Sequence, residues 1–215
     1  MEQRWASVRL DEIEPITVAG DLQWRPLRRT LGVQAFGINA YVARQPGDTV
    51  VEEHTESTLG HEEVYVVLSG RATFELDGET LDAPAGTVVF VRDPELKRHA
   101  RAAEADTAVL AVGGKAGESY SPSAWESYFH AERHRPSGDF AAMADELSEA
   151  LEQHPDHPGV LYNLACAEAR AGLTDAALAH LARALELRPS LRDWARQDED
   201  LAALRERPDW PASDG

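Results

Sequence analysis

The hydrophobic period of this chain changes once, near Gly114, and the change divides it into two kinds of structure. Before that point apolar residues come in short blocks, VYVVL (64–68), TVVFV (87–91) and TAVLAV (107–112), separated by turn-forming residues. No helical spacing interrupts them. Short strands at this spacing fold as a sandwich or a small barrel. Asp77-Gly78 lies between ATFEL and ETLDA, and Asp-Gly between alternating residues marks a tight hairpin. Pro84-Ala85-Gly86 marks the next turn. The first thirty residues are expected to add one or two edge strands.

Beyond Gly114, GGKAGESYSPS has the composition of a linker, and the remainder reads as helix. PGVLYNLACAEARAG predicts one helix, with Pro158 in its first turn and Gly172 as its stop. TDAALAHLARALELRP predicts a second, from a Thr174 or Asp175 cap to Pro189, with Leu178, Leu181, Ala184 and Leu185 on one face. DWARQDEDLAALRERPDW is expected to form a capping helix anchored by Trp194. The expected division is a β domain at 1–115, a linker at 116–121 and an α-helical domain at 122–215.

Bulk properties narrow the function classes. The net charge of −17 repels phosphate backbones, so nucleic acid is not an expected partner. No apolar run is long enough to span a membrane, and the first fifteen residues carry early acids without a signal-peptide core, so the expected compartment is the cytoplasm. The single cysteine, Cys166, cannot form an internal disulfide, and its place inside a helical hairpin predicts burial. The sequence has no GxSxG, P-loop or GxGxxG, which weighs against common hydrolase, nucleotide and dinucleotide chemistry.

Residues 31–114 resemble the cupin superfamily of double-stranded β-helix, jelly-roll barrels. Gly47, His54, Glu63 and Gly70 match the first motif, with six residues between Glu63 and Gly70, and Gly86 matches the start of the second. The resemblance implies a metal site for iron, manganese, zinc or nickel, with His54, Glu56, Glu63 and His99 as ligands and His61 as a substitute. Glu56 stands where the family has its second histidine, and Arg92 and Pro94 replace the second motif's proline and glycine. His99 lies two residues late; Lys97 and Arg101 share its strand face and would be costly inside a barrel. If His99 points outward, Arg98 points inward and can pair with Glu56 or Glu63 in place of a metal. Tyr65 shares the Glu63 face, either lining the ligand cavity or filling the core. The expected small-molecule site is therefore His54, Glu56, Glu63, Tyr65 and Arg98.

Residues 158–191 resemble the tetratricopeptide repeat, whose period is 34 residues. Leu164, Ala165, Gly172, Ala177, Leu181, Ala184 and Pro189 carry the match, and Gly138, Met143, Leu147, Ala150 and Pro155 fit a degenerate earlier copy. The resemblance implies a packing, oligomerisation or peptide-binding module, and cupins commonly pair as homodimers. Three function classes follow: a cupin binding a small molecule or divalent metal, a metal-dependent oxygenase or isomerase, and a non-catalytic scaffold. His130 and His134, four residues apart, are expected to form a solvated pair; His154 and His157 are expected to help start a helix.

Overall fold

A computed structural model describes residues 6–18 and 20–213. The chain separates into two units that meet between Pro122 and Ser123. The β unit contains β1 (Ile16–Val18), β2 (Leu22–Arg25), the short helix α1 (Leu27–Leu31), β3 (Gly37–Val42), β4 (Thr49–His54), β5 (His61–Ser69), β6 (Arg71–Leu76), β7 (Glu79–Pro84), β8 (Val88–Val91), β9 (Arg98–Ala102) and β10 (Ala108–Lys115). They form two antiparallel sheets, ordered β1-β2-β3-β10-β5-β8 and β4-β9-β6-β7. The orders β3-β10-β5-β8 and β4-β9-β6-β7 are those of a jelly roll, so the barrel expectation holds at the level of topology.

Alternation along the strands fills the space between the sheets. Tyr65, Val67, Val89, Val91 and Val109 pack against Ala72, Phe74, Ala83, Ala100 and Ala102. Small residues on the four-stranded side leave room for the Tyr65 and Phe74 rings, whose centroids are 5.8 Å apart. Asp77 and Gly78 both have positive φ, 54° and 89°, and close the β6–β7 hairpin as Asp-Gly predicts. Gly70 is required twice over. Its φ is 67°, and a Cβ there would lie 2.8 Å from Thr107 Cα. Thr107 is fully buried and ties the two strand ends together, donating to the carbonyls of Arg71 and Glu104.

The helical unit contains α2 (Ala124–Ala131), α3 (Phe140–Gln153), α4 (Pro158–Ala171), α5 (Thr174–Leu187) and α6 (Arg192–Gln197), with 3-10 turns at Glu132–Ser137, Pro189–Leu191 and Glu199–Leu204. Helix α4 ends at Gly172 in the left-handed conformation, as its sequence predicts. One face of α4 presents Leu161, Ala165 and Cys166 to Ala177, Leu181 and Leu185 of α5. Leu164 and Ala167 meet Met143 and Leu147 of α3. His157 caps α4, its Nδ1 accepting from the Val160 N–H at 3.3 Å.

Three local expectations need correction. The residue preceding α5 is Leu173, whose N–H bonds back to the Glu168 carbonyl and whose own carbonyl accepts from Ala177, so Thr174 is already helical. Trp194 is 69% exposed and anchors nothing; Ala195, one position and about 100° round the helix, faces the core with Leu201, Leu204 and Trp210. His130 and His134 are not a solvated pair: both lie against Glu146 of α3, together with Arg133. Among the described residues no helix is long and apolar enough to cross a membrane.

Candidate functional site

The β4–β5 connection brings three of the expected ligands together. His54 is the last residue of β4, Glu56 lies in the following turn and Glu63 is the third residue of β5. One donor atom from each lies within 4.8 Å of the others. His54 Nε2 is 3.4 Å from Glu63 Oε2 and 3.7 Å from Glu56 Oε1. Its Nδ1 lies 2.8 Å from the Glu52 carbonyl, which fixes the proton there and turns Nε2 toward the carboxylates.

Glu63 is held by a dense set of donors. Arg98 Nη2 and Nε donate to its Oε2 at 2.8 and 3.2 Å, and the Tyr65 hydroxyl donates to the same oxygen. Burial works to raise the Glu63 pKa, but the bonds from His54, Tyr65 and Arg98 outweigh it and hold the group at about 2. Burial chiefly, and then the Glu63 charge, pushes the Tyr65 hydroxyl well above its ordinary value. The strand opposite makes space for the carboxylate. Gly113 pairs with Glu63, and a Cβ there would sit 3.1 Å from Glu63 Cγ.

Glu56 is positioned by its backbone. Its N–H donates to the Pro94 carbonyl at 2.8 Å, and its own carbonyl accepts from Leu59 and Gly60. Its side chain is buried, yet Oε2 has no hydrogen-bond partner among the described residues. His61 Nδ1 comes within 3.4 Å of that oxygen without hydrogen-bond geometry. Burial, and then the Glu63 charge, raise the Glu56 pKa to about 7. Burial works to lower the His54 pKa; Glu63 and the Glu52 carbonyl outweigh it and raise it. Burial lowers that of His61.

Arg98, and not His99, faces the interior. Arg98 is fully buried, and Ala100 and Ala102 follow it inward, while Arg101 is exposed. Pairing of β9 with β6 and β4 sets this register, placing Arg98 opposite Leu76 and His54, and His99 opposite Glu75. His99 therefore meets Glu75 at 3.8 Å on the outer face, and Lys97 pairs with Glu53 there at 2.7 Å. The expected His99 ligand is replaced by a guanidinium. Arg98 Nη1 also donates to the Leu96 carbonyl at 2.9 Å, so its charge is fixed in place.

Glu52 and Gly113 escaped the sequence reading. Glu52 lies two residues before His54, a spacing that signals the shared strand face, and burial raises its pKa. Gly113 joins the site only through β10 pairing, which leaves no local signal.

One imidazole nitrogen, two carboxylates and an orphaned buried Glu56 oxygen fit a divalent cation. The backbone-anchored His54 and the space left by Gly113 suit the same occupant. Arg98 marks the limit of the set, since it already occupies Glu63 Oε2.

Neither a protein-family model nor a curated protein matches the chain. Solved structures similar to it include a predicted oxalate decarboxylase from Thermotoga maritima, 23% identical over 51% of this chain and 99% of that one, with a TM-score of 0.43. A cupin protein from Bacteroides fragilis is 25% identical over 52% of this chain and 92% of its own, with a TM-score of 0.36. A sugar phosphate isomerase from a cupin superfamily, from Silicibacter pomeroyi, is 18% identical over 51% of this chain and 76% of its own, with a TM-score of 0.43. Over about half its length, then, the chain is similar to proteins described in these terms.

Proposed function

We propose that the β unit is a cupin-type binding barrel that holds one divalent metal on His54, Glu56 and Glu63 and receives a small molecule beside it. The observation that carries this reading is the buried Glu56 Oε2 without a hydrogen-bond partner, on a carboxylate whose other oxygen lies 3.7 Å from His54 Nε2. Two carboxylates to one imidazole favour manganese or iron over zinc or nickel. When bound, such an ion supplies a Lewis acid that polarises a ligand oxygen. The chain's own residues divide the remaining work. Arg98 and Tyr65 hold Glu63 in its charged form, and Glu56, titrating near neutrality, is the carboxylate that can hold or release a proton. Oxygenase or isomerase activity is the corresponding enzymatic alternative.

A second reading rests on the Arg98–Glu63 pair. Its guanidinium already neutralises one carboxylate, which favours an organic ligand whose hydroxyl donates to Glu56. Metal content of protein purified without added metal separates the two. The metal reading expects about one ion per chain, lost in His54→Ala and Glu56→Gln and retained in His99→Ala. A metal-free parent, or retention in both site variants, overturns it.

The helical unit is proposed to be a tetratricopeptide-like packing module. The α4–α5 hairpin closed at Gly172 supports this reading, and α3 supplies a partial earlier pair. A scaffold role is the non-catalytic alternative. Homodimer formation remains the proposal for the outer β surface, where Val88 and Phe90 on edge strand β8 are 62% and 46% exposed.

A further inference from the structure

Beyond β10 the chain doubles back over one end of the barrel. Gly117, at φ 76°, and the Glu118 N–H on the Lys115 carbonyl at 3.3 Å make the reversal. Residues 115–119 and 121 are exposed, and between them Tyr120 is turned inward and partly buried. The end it meets is the one where β4 finishes at His54 and where β3 and β5 begin at Gly37 and His61.

Two glycines make room there. Gly37, Gly113 and Glu63 lie side by side across β3, β10 and β5, so they share the sheet face that looks into the barrel. A Cβ on Gly113 would sit 3.1 Å from Glu63 Cγ, and one on Gly37 would sit 3.1 Å from the Tyr120 hydroxyl. Glu63 and Tyr120 thus fill adjacent glycine positions on the inner face. The Tyr120 ring is flanked by the His61 ring, with centroids 6.1 Å apart, and by the Arg28 guanidinium, 6.0 Å from the ring centroid. His61 in turn stands 3.4 Å from Glu56 Oε2, and its side chain is only 14% exposed.

We infer that Tyr120 gates entry to the barrel, on the reading that His54, Glu56 and Glu63 form its binding site. The residues on either side of it are exposed, so opening costs little more than unseating one ring. Closed, the ring covers the imidazole beside Glu56. Open, it leaves the glycine row bare next to Glu63. The same gate stands on the way in and the way out, so it sets the rates of exchange and not the affinity.

Diethyl pyrocarbonate labelling of the full metal-free chain, with modified histidines located by mass spectrometry, tests the closure. Tyr120→Ala is expected to speed modification of His61 by about tenfold, while His99 on the outer sheet face and His180 in the helical unit react as in the parent. Gly37→Ala, which places a methyl where the Tyr120 hydroxyl sits, is expected to do the same, and it decides the matter if Tyr120→Ala fails to fold. Tyr120→Phe keeps the ring and is expected to keep the parent rate. Unchanged His61 labelling in Tyr120→Ala overturns the gate. So does Tyr120→Phe labelling as fast as Tyr120→Ala, or equal acceleration of all three histidines, which reports general loosening. Manganese release to excess EDTA is the second readout, expected to be about tenfold faster in Tyr120→Ala at unchanged stoichiometry. Release at the parent rate also overturns the gate. A parent that takes up no manganese overturns the metal reading, and the labelling then decides the gate alone.

Discussion

Arg98 Nη2 lies 2.8 Å from Glu63 Oε2, with the arginine side chain fully buried and the glutamate 14% exposed. This pair is the electrostatic centre of the barrel. Removing one partner leaves an uncompensated charge inside, whereas removing both does not. Arg98→Met is therefore expected to destabilise the β unit by about 3–5 kcal/mol, and Arg98→Met with Glu63→Leu to recover most of that loss. Urea unfolding of metal-free protein measures both; a mild single variant would show that the pair is not desolvated as the structure has it.

Acid stability of the helical unit is expected to depend on Glu146. Burial works to raise its pKa, but His130 and Arg133 outweigh it and hold it at about 2. A folded value below the unfolded one stabilises the fold above about pH 4.5, and this contribution disappears as pH falls through about 2. Glu146→Gln should therefore lose up to about 3 kcal/mol at neutral pH. It should also lose less stability than the parent between pH 4.5 and 2. Denaturant midpoints collected across that range give the comparison, and parallel curves would contradict it.

Gly70 and Gly86 separate two costs of a side chain. Both have positive φ, 67° and 89°, but only Gly70 faces a neighbour within 4 Å. Gly86→Ala should cost about 1–2 kcal/mol from backbone conformation alone. Gly70→Ala should cost more, because its methyl meets the buried Thr107. Thermal melts of the two variants rank them, and an equal effect would mean that Thr107 yields freely.

Two tryptophans in the helical unit should behave oppositely. Trp210 is 9% exposed and packs with Leu201 and Leu204, so Trp210→Ala is expected to cost about 3–5 kcal/mol. Trp194 is 69% exposed, and Trp194→Ala is expected to stay within about 0.5 kcal/mol. Chemical denaturation monitored by circular dichroism reads each change.

Local rules made much of this fold legible. Asp77-Gly78 declared its hairpin because both positions need positive φ, and Pro158 and Gly172 bracketed α4 through backbone limits intrinsic to proline and glycine. The convergence of His54, Glu56 and Glu63 matches the set the cupin resemblance implied, although Glu56 reaches it from the chain after β4 and not through alternation along the strand. The inward choice between Arg98 and His99 was not legible. Irregular chain precedes β9, so parity counted from Gly86 carries no information there; pairing with β6 and β4 decides it. Trp194 misled for a related reason, since size marks an anchor only when helical phase turns it inward.

Cys166 is the chain's sole thiol, 4% exposed, and burial chiefly, with the Asp198 charge, pushes its pKa well above the ordinary value. The folded protein is thus nearly inert toward maleimides. A cysteine introduced at the exposed Glu79, beside the β6–β7 turn, would accept a single fluorophore or spin label without first removing the native one, giving a clean distance reporter on the barrel.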